Sequence, residues 1–228
     1  MKFIKLKLYT NIIEQQYDFY CLKLGFPINK KTDHSFSINI GWTELEFVYD
    51  NSKINNYHYC ILIPTNYLTE SLLLISQKAS IYTFKEGKTI IDFESWNARS
   101  FYFKDPSGNL VEFIIHNDYK CNLQKKGFEI VDCLGICEIG LPTQNIQKTN
   151  TILEENLKSK FWKGDYNRFG THGSIEGKFL LPNTYIKNKW FPTNQKIQVC
   201  NFEVVLTNNE TTNKVSFYEN NLNFNLIE

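Results

Sequence analysis

One unit recurs three times along this chain, and that recurrence limits the fold more than any other feature. Residues 3–10 alternate lysines with apolar side chains, the period of a half-buried strand. Asn11 offers a helix cap, residues 12–24 carry Ile12, Ile13, Phe19, Tyr20 and Leu24 near helical spacing, and Gly25 supplies the closing position. Two alternating strands, 35–41 and 43–50, and a polar stretch at 51–56 complete the unit. A second copy follows: a strand at 57–63, a break at Pro64-Thr65-Asn66, a helix over 67–78, and strands at 100–104 and 110–116. Between those strands Asp105-Pro106-Ser107-Gly108-Asn109 has type I turn chemistry. A third copy has a strand at 136–141, a break at Pro142-Thr143, a helix over 145–157 and strand candidates at 169–173, 175–181 and 199–206. The copies echo in Leu6-Lys7-Leu8-Tyr9-Thr10-Asn11, Ile61-Leu62-Ile63-Pro64-Thr65-Asn66 and Ile139-Gly140-Leu141-Pro142-Thr143-Gln144. A unit of roughly 50–60 residues cannot cover its own sheet, so units must pair and share a core. The expected organisation is a closed pair at 1–118, a linker at 119–127, and a degenerate third unit, with a partial fourth, at 128–228.

Composition narrows the function classes. With 25 Lys plus Arg against 24 Asp plus Glu the net charge is +1, too small to steer nucleic acid or an anionic membrane. No apolar run reaches the ~18 residues of a membrane span, and the N-terminus alternates charge where a signal peptide needs a continuous apolar stretch. The expectation is a cytoplasmic protein, monomer or homodimer, with a small-molecule ligand and no nucleic-acid or membrane partner. The six cysteines are then reduced thiols, and the spacing of Cys133 and Cys137 alone falls short of a zinc motif. Phosphate loops, nucleophile elbows and paired-histidine metal motifs are absent from the sequence.

Two segments carry a resemblance. Phe19-Tyr20-x3-Leu24-Gly25-Phe26 follows the first strand, and Phe101-Tyr102-Phe103-Lys104-Asp105-Pro106-Ser107-Gly108-Asn109-Leu110-Val111-Glu112-Phe113 closes the second unit. Together they resemble the vicinal oxygen chelate superfamily of glyoxalase I, bleomycin-resistance proteins and extradiol dioxygenases. The resemblance implies an α+β fold of paired βαβββ units forming a half-open barrel around one divalent ion, with a third, degenerate unit packed on it. It places ligands on the first and last strands of each unit. Carried over, these are His58, Glu112 and Glu46, with Lys5 standing where the first unit should supply His or Gln. An ammonium cannot ligate a metal and opposes a dication.

Read from the residues themselves, Glu112 sits in the apolar run Leu110 to Ile115, where an unpaired carboxylate is costly; it is an acid/base or ligand candidate, or a salt-bridged structural Glu. His58 shares a strand face with Cys60 and Leu62, as a pocket residue or a ligand. Glu44 and Glu46 flank Leu45 on one side of their strand. Trp96, Asn97 and Arg99 offer an aromatic wall, an amide and a guanidinium suited to a small polar or anionic ligand, with Trp96 alternatively covering the barrel edge. Trp162, His172, Trp190 and Phe191 read as packing, and Glu138, on the first strand of the third unit, lacks an evident partner.

Two functions from different classes follow. In one, the cavity binds a small polar molecule with weak metal or none, and Lys5 replaces the ion's charge. In the other, His58, Glu112 and Glu46 hold Zn, Ni, Co, Mn or Fe for a lyase or dioxygenase acting on vicinal oxygens, with Glu112 shuttling a proton.

Overall fold

The computed structural model describes residues 1–208 and 211–227. The first unit runs β1 (Lys2–Thr10), α1 (Ile13–Tyr17) continued by a wider helical turn (Asp18–Leu24), β2 (Ile28–Lys31), β3 (Ser35–Ile40) and β4 (Thr43–Tyr49). Gly25 ends the helix at φ 91°, the left-handed conformation a glycine adopts most cheaply. Asn11 does not cap this helix; the hydroxyl of Thr10 accepts from the backbone N–H of Ile12 instead, at 3.2 Å. The second unit runs β5 (His58–Leu62), α2 (Leu68–Ser76), β6 (Ile91–Phe93), β7 (Ala98–Lys104) and β8 (Leu110–His116), and the third β9 (Gly135–Gly140), α3 (Ile146–Leu157), β10 (Phe161–Gly164), β11 (Phe169–Ser174) and β12 (Gly177–Pro182). An irregular stretch, 183–201, leads to β13 (Phe202–Asn208), β14 (Thr211–Tyr218) and β15 (Asn221–Ile227).

In each complete unit the first strand lies parallel to the last, the crossover that an intervening helix permits. The fourth segment has no helix between its strands and is a plain antiparallel meander. It is the partial copy; the third unit is complete.

The units join first strand to first strand, and here the expected pairing needs correction. β5 pairs antiparallel with β9, giving an eight-stranded sheet β10-β11-β12-β9-β5-β8-β7-β6, the half-barrel. β1 pairs antiparallel with β13, giving a seven-stranded sheet β15-β14-β13-β1-β4-β3-β2. Residues 3–10 and 57–63 therefore belong to different sheets, and units one and two do not close a barrel together. Each first strand presents the same kind of open edge, so adjacency in sequence does not select the partner. Across β5 and β9 the fit is specific: Gly140 leaves room for the ring of Trp190, which a Cβ would meet at 2.7 Å, and Gly135 does the same for Trp42 at 2.2 Å.

Units one and two nevertheless pack tightly, through the opposite faces of their sheets. One apolar core takes Leu6, Leu8, Phe36 and Phe47 from the seven-stranded sheet, Tyr59, Ile61, Phe101 and Phe113 from the eight-stranded sheet, and the buried sides of the helices. The Asp105 turn joins the two units. Its carboxylate accepts from the Asn109 backbone and side chain at 3.0 and 2.8 Å, and across the core from Gln16 at 2.8 Å and Tyr20 at 3.0 Å. The other faces of the sheets point away from this core, and the eight-stranded sheet keeps its chemistry there.

Candidate functional site

Four adjacent strands of the eight-stranded sheet place one row of side chains in register: Glu112 on β8, Cys60 on β5, Glu138 on β9 and Lys178 on β12. Because strand side chains alternate faces, His58 stands on the same face as Cys60, two residues along. All are buried. The His58 ring donates from Nδ1 to the Leu110 carbonyl at 3.0 Å, which leaves Nε2 facing Glu112 Oε2 at 3.6 Å, beyond hydrogen-bond reach. The other oxygen of Glu112 accepts from the Tyr102 hydroxyl at 2.6 Å. Glu138 pairs with the Lys178 ammonium at 2.8 Å. Lys178 also donates to His116 Nε2 at 3.3 Å and lies 4.8 Å from the centre of the Trp162 ring, so that a carboxylate, an imidazole and an aromatic face enclose it.

Burial and neighbours set the protonation states. Removal from water, reinforced by the charge of Glu138, pushes the Glu112 carboxyl up to about 8. Burial works against charge on Glu138 as well, but Lys178 outweighs it and holds that carboxyl below its ordinary range. Lys178 is raised in turn: burial opposes its charge, and Glu138 overcomes that opposition. Burial lowers His58, partly offset by the Leu110 carbonyl, and burial together with Lys178 lowers His116 to about 4. At neutral pH the floor thus holds one ion pair, one carboxylic acid and two neutral imidazoles. Glu112 can donate a hydrogen bond or a proton, and His58 Nε2 can accept one.

Above this floor lies a cavity of about 340 Å³ with largely aromatic walls: Phe93, Trp96, Phe169, Trp190 and Phe191, with Arg168 and Lys187 also lining it. Trp190 packs on His58 at 4.7 Å between ring centres. The volume suits a small organic molecule.

The structure brings together only part of the set read from the sequence. His58 and Glu112 meet, and Trp96 lines their cavity. Glu46 does not join them. It lies on β4 in the other sheet, paired with Lys5 at 3.1 Å and Lys7 at 4.0 Å. Lys5 pairs with Glu46 and, at 3.3 Å, with Glu44 on that sheet, so it does not stand in the cavity as a substitute for an ion's charge. Asn97 sits in a left-handed turn and spends its amide on Asp118 and Asn117, and Arg99 pairs with Asp92 at 2.9 Å; neither lines the cavity. The pairing of β5 with β9 accounts for the exchange, because it delivers Glu138 and Lys178 where unit one would have delivered Glu46 and Lys5. Glu138 had a signal in the sequence: in the three echoed strands it aligns with Lys5 and Cys60. Lys178 had a weaker one, as the only charge in the run Gly177 to Pro182. Trp190 and Phe191 had none beyond their size, since an irregular connection carries them in.

The donor atoms His58 Nε2 and one oxygen each of Glu112 and Glu138 lie within 4.8 Å of one another, and so do Cys60, Cys137 and Glu138. In donor type the first trio fits a first-row divalent ion, with its histidine oriented by a second hydrogen bond. In charge it fits less well: the Lys178 ammonium already pairs with Glu138 at 2.8 Å and would stand beside the ion.

Neither a family model nor a curated protein matches the sequence. Solved structures do. A proposed dioxygenase from Bacillus subtilis superposes over 99% of this chain and 84% of its own, at 13% identity and a TM-score of 0.63. A glyoxalase I variant from Zea mays covers 79% of this chain and 68% of its own, at 10% identity and a TM-score of 0.54. A glyoxalase/bleomycin resistance protein/dioxygenase from Alicyclobacillus acidocaldarius matches 51% of this chain and 92% of its own, at 20% identity and a TM-score of 0.42. At such identities the likeness concerns the fold alone, which is the one shared with the Bacillus subtilis and Zea mays structures. Among the described residues no helix is long and apolar enough to cross a membrane.

Proposed function

We propose that this protein, built on the vicinal oxygen chelate fold, binds a small molecule in the cavity of its eight-stranded sheet and does so without a resident metal. One observation carries the reading: the Lys178 ammonium, fully buried, pairs with Glu138 at 2.8 Å in the register row where the donor trio converges. It supplies the positive charge that a divalent ion would otherwise bring to that carboxylate. A dication would have to displace a charge-assisted hydrogen bond, take the proton from Glu112 and sit beside an ammonium. With the charge settled, Glu112 stays a neutral acid, aimed by Tyr102, with His58 beside it as acceptor. These two groups meet the polar end of the ligand, and Glu112 is the proton donor if the ligand is turned over.

A second reading keeps the metal. The spacing of His58, Glu112 and Glu138 and the anchored His58 tautomer favour it, and it implies a divalent-metal lyase or dioxygenase. Titration with Zn, Ni and Mn separates the two, together with elemental analysis of protein purified without chelator or metal-affinity resin. The metal-free reading expects sub-stoichiometric metal and weak binding in the wild type, and a gain in affinity of at least about tenfold in Lys178→Met, seen as a metal-dependent rise in Tm. Tight stoichiometric binding by the wild type overturns it.

A further inference from the structure

Arg168 and Lys187 both line the cavity, and Arg168 lies close enough for its charge to act on Lys187. Most cations near a sheet face in this molecule have a carboxylate: Lys2 has Glu176, Lys5 has Glu44 and Glu46, Lys7 has Glu203, and Lys178 has Glu138. Arg168 and Lys187 make no ion pair among the described residues. Asp165 lies near enough to feel Arg168, but its Oδ1 accepts from the backbone N–H groups of Asn167 and Arg168 at 2.8 and 2.5 Å. Lys187 is only partly exposed; it donates to the Lys189 carbonyl at 2.9 Å and stands 5.7 Å from the Phe169 ring. Its burial, with Arg168 close by, presses its ammonium below the ordinary lysine range. Two like charges on one cavity, neither in an ion pair and Lys187 partly desolvated while Arg168 is exposed, leave a local excess of positive charge that an incoming anion balances.

The walls beside them say what that anion is attached to. Trp190 lies against His58, and Phe191 meets Phe93 edge-on at 6.0 Å, so aromatic rings line the same cavity as the two cations. Such walls receive a flat apolar body, while Glu112 and His58 at the floor accept little besides a neutral polar group.

We infer that the ligand is a planar, largely apolar organic anion, its ring between the aromatic walls and its anionic group held by Arg168 and Lys187. The inference rests on the reading that this cavity is the binding site and adds the ligand's chemical class.

Calorimetric titration with matched probes tests it: 2-naphthoate, its neutral counterpart 2-naphthalenemethanol, 2-naphthyl phosphate, and acetate as an anion without a ring. Naphthoate or naphthyl phosphate should bind at least about tenfold tighter than the alcohol, and the better of the two names the head group. Acetate should not bind measurably. Lys187→Gln and Arg168→Gln should each weaken the aromatic anion by about five- to tenfold and leave the alcohol unchanged, as expected for loss of a charge-assisted contact. If the alcohol binds as tightly as the anions, or neither variant weakens them, the anion inference is overturned. The cavity reading then survives only if Trp190→Ala abolishes binding of the alcohol. No binding by any naphthyl probe overturns both.

Discussion

The two sheets carry the same charged pairing at equivalent positions and use it differently. In the first unit Lys5 on the first strand faces Glu44 on the last; in the third, Glu138 on the first strand faces Lys178 on the last. The side chains of Lys5 and Glu44 retain 33% and 28% of their exposure, whereas those of Lys178 and Glu138 retain 0% and 6%. On the seven-stranded sheet the charges form an open ladder from Glu44 through Lys5, Glu46, Lys7 and Glu203 to Lys214, in which water and several neighbours share each charge. On the eight-stranded sheet Trp162, His116 and the cavity floor surround one pair. Register alone puts opposite charges side by side; enclosure turns such a pair into a fixed element of a binding site.

The largest effect expected from that contrast is on stability. Lys178→Met leaves the Glu138 carboxylate buried and unpaired, and urea unfolding should show a loss of about 3–5 kcal/mol. Lys5→Met, on the solvated ladder, should lose no more than about 1 kcal/mol. The double variant Lys178→Met/Glu138→Leu should recover most of the first loss. Equal losses for the two single lysine variants would break the comparison.

A second test uses pH. The folded protein holds the Glu112 proton up to about pH 8, whereas an unfolded chain releases it near 4.5. The native state therefore binds more protons across that interval, and stability from this group is present below about pH 4.5 and lost as pH rises through 8, on the order of several kcal/mol. The buried His116 and His172, both lowered to about 4 by burial first, act in the opposite sense: their contribution is present above 6.5 and lost as pH falls through 4. Wild-type stability should peak at mildly acidic to neutral pH. Glu112→Gln should flatten the alkaline decline and move the peak upward. An unaltered alkaline limb in Glu112→Gln would mean that Glu112 is ionised in the folded protein.

A smaller loss is expected from Gly140→Ala, whose new methyl group meets the Trp190 ring at 2.7 Å. Overpacking of this kind costs about 1–3 kcal/mol. Here it should also shift the fluorescence of Trp190, because the ring must leave His58. The smallest expected effect is that of Lys5→His: metal titration should show no gain over the wild type, since Lys5 and the His58, Glu112 and Glu138 trio stand on different sheets.

Much of this molecule was legible one segment at a time. Period-two alternation marked β1 and β4, and the break at Pro64 marked the end of β5; glycine and proline marked the helix end at Gly25 and the Asp105 turn; parity put His58 on the face it shares with Cys60. These are local properties, because a strand's faces and a turn's dihedrals follow from neighbouring residues. What the sequence by itself determined is therefore the repeating unit and the side chains that each unit offers to its sheet faces. The tertiary structure alone decided which units share a sheet, and with that whether Glu112 and His58 would face Glu46 and Lys5 or Glu138 and Lys178. Each unit exposes the same kind of strand edge, so hydrogen bonding does not discriminate among partners. The choice lies in contacts between residues far apart in the chain, such as Trp190 over Gly140 and Trp42 over Gly135, whose close packing no local pattern encodes.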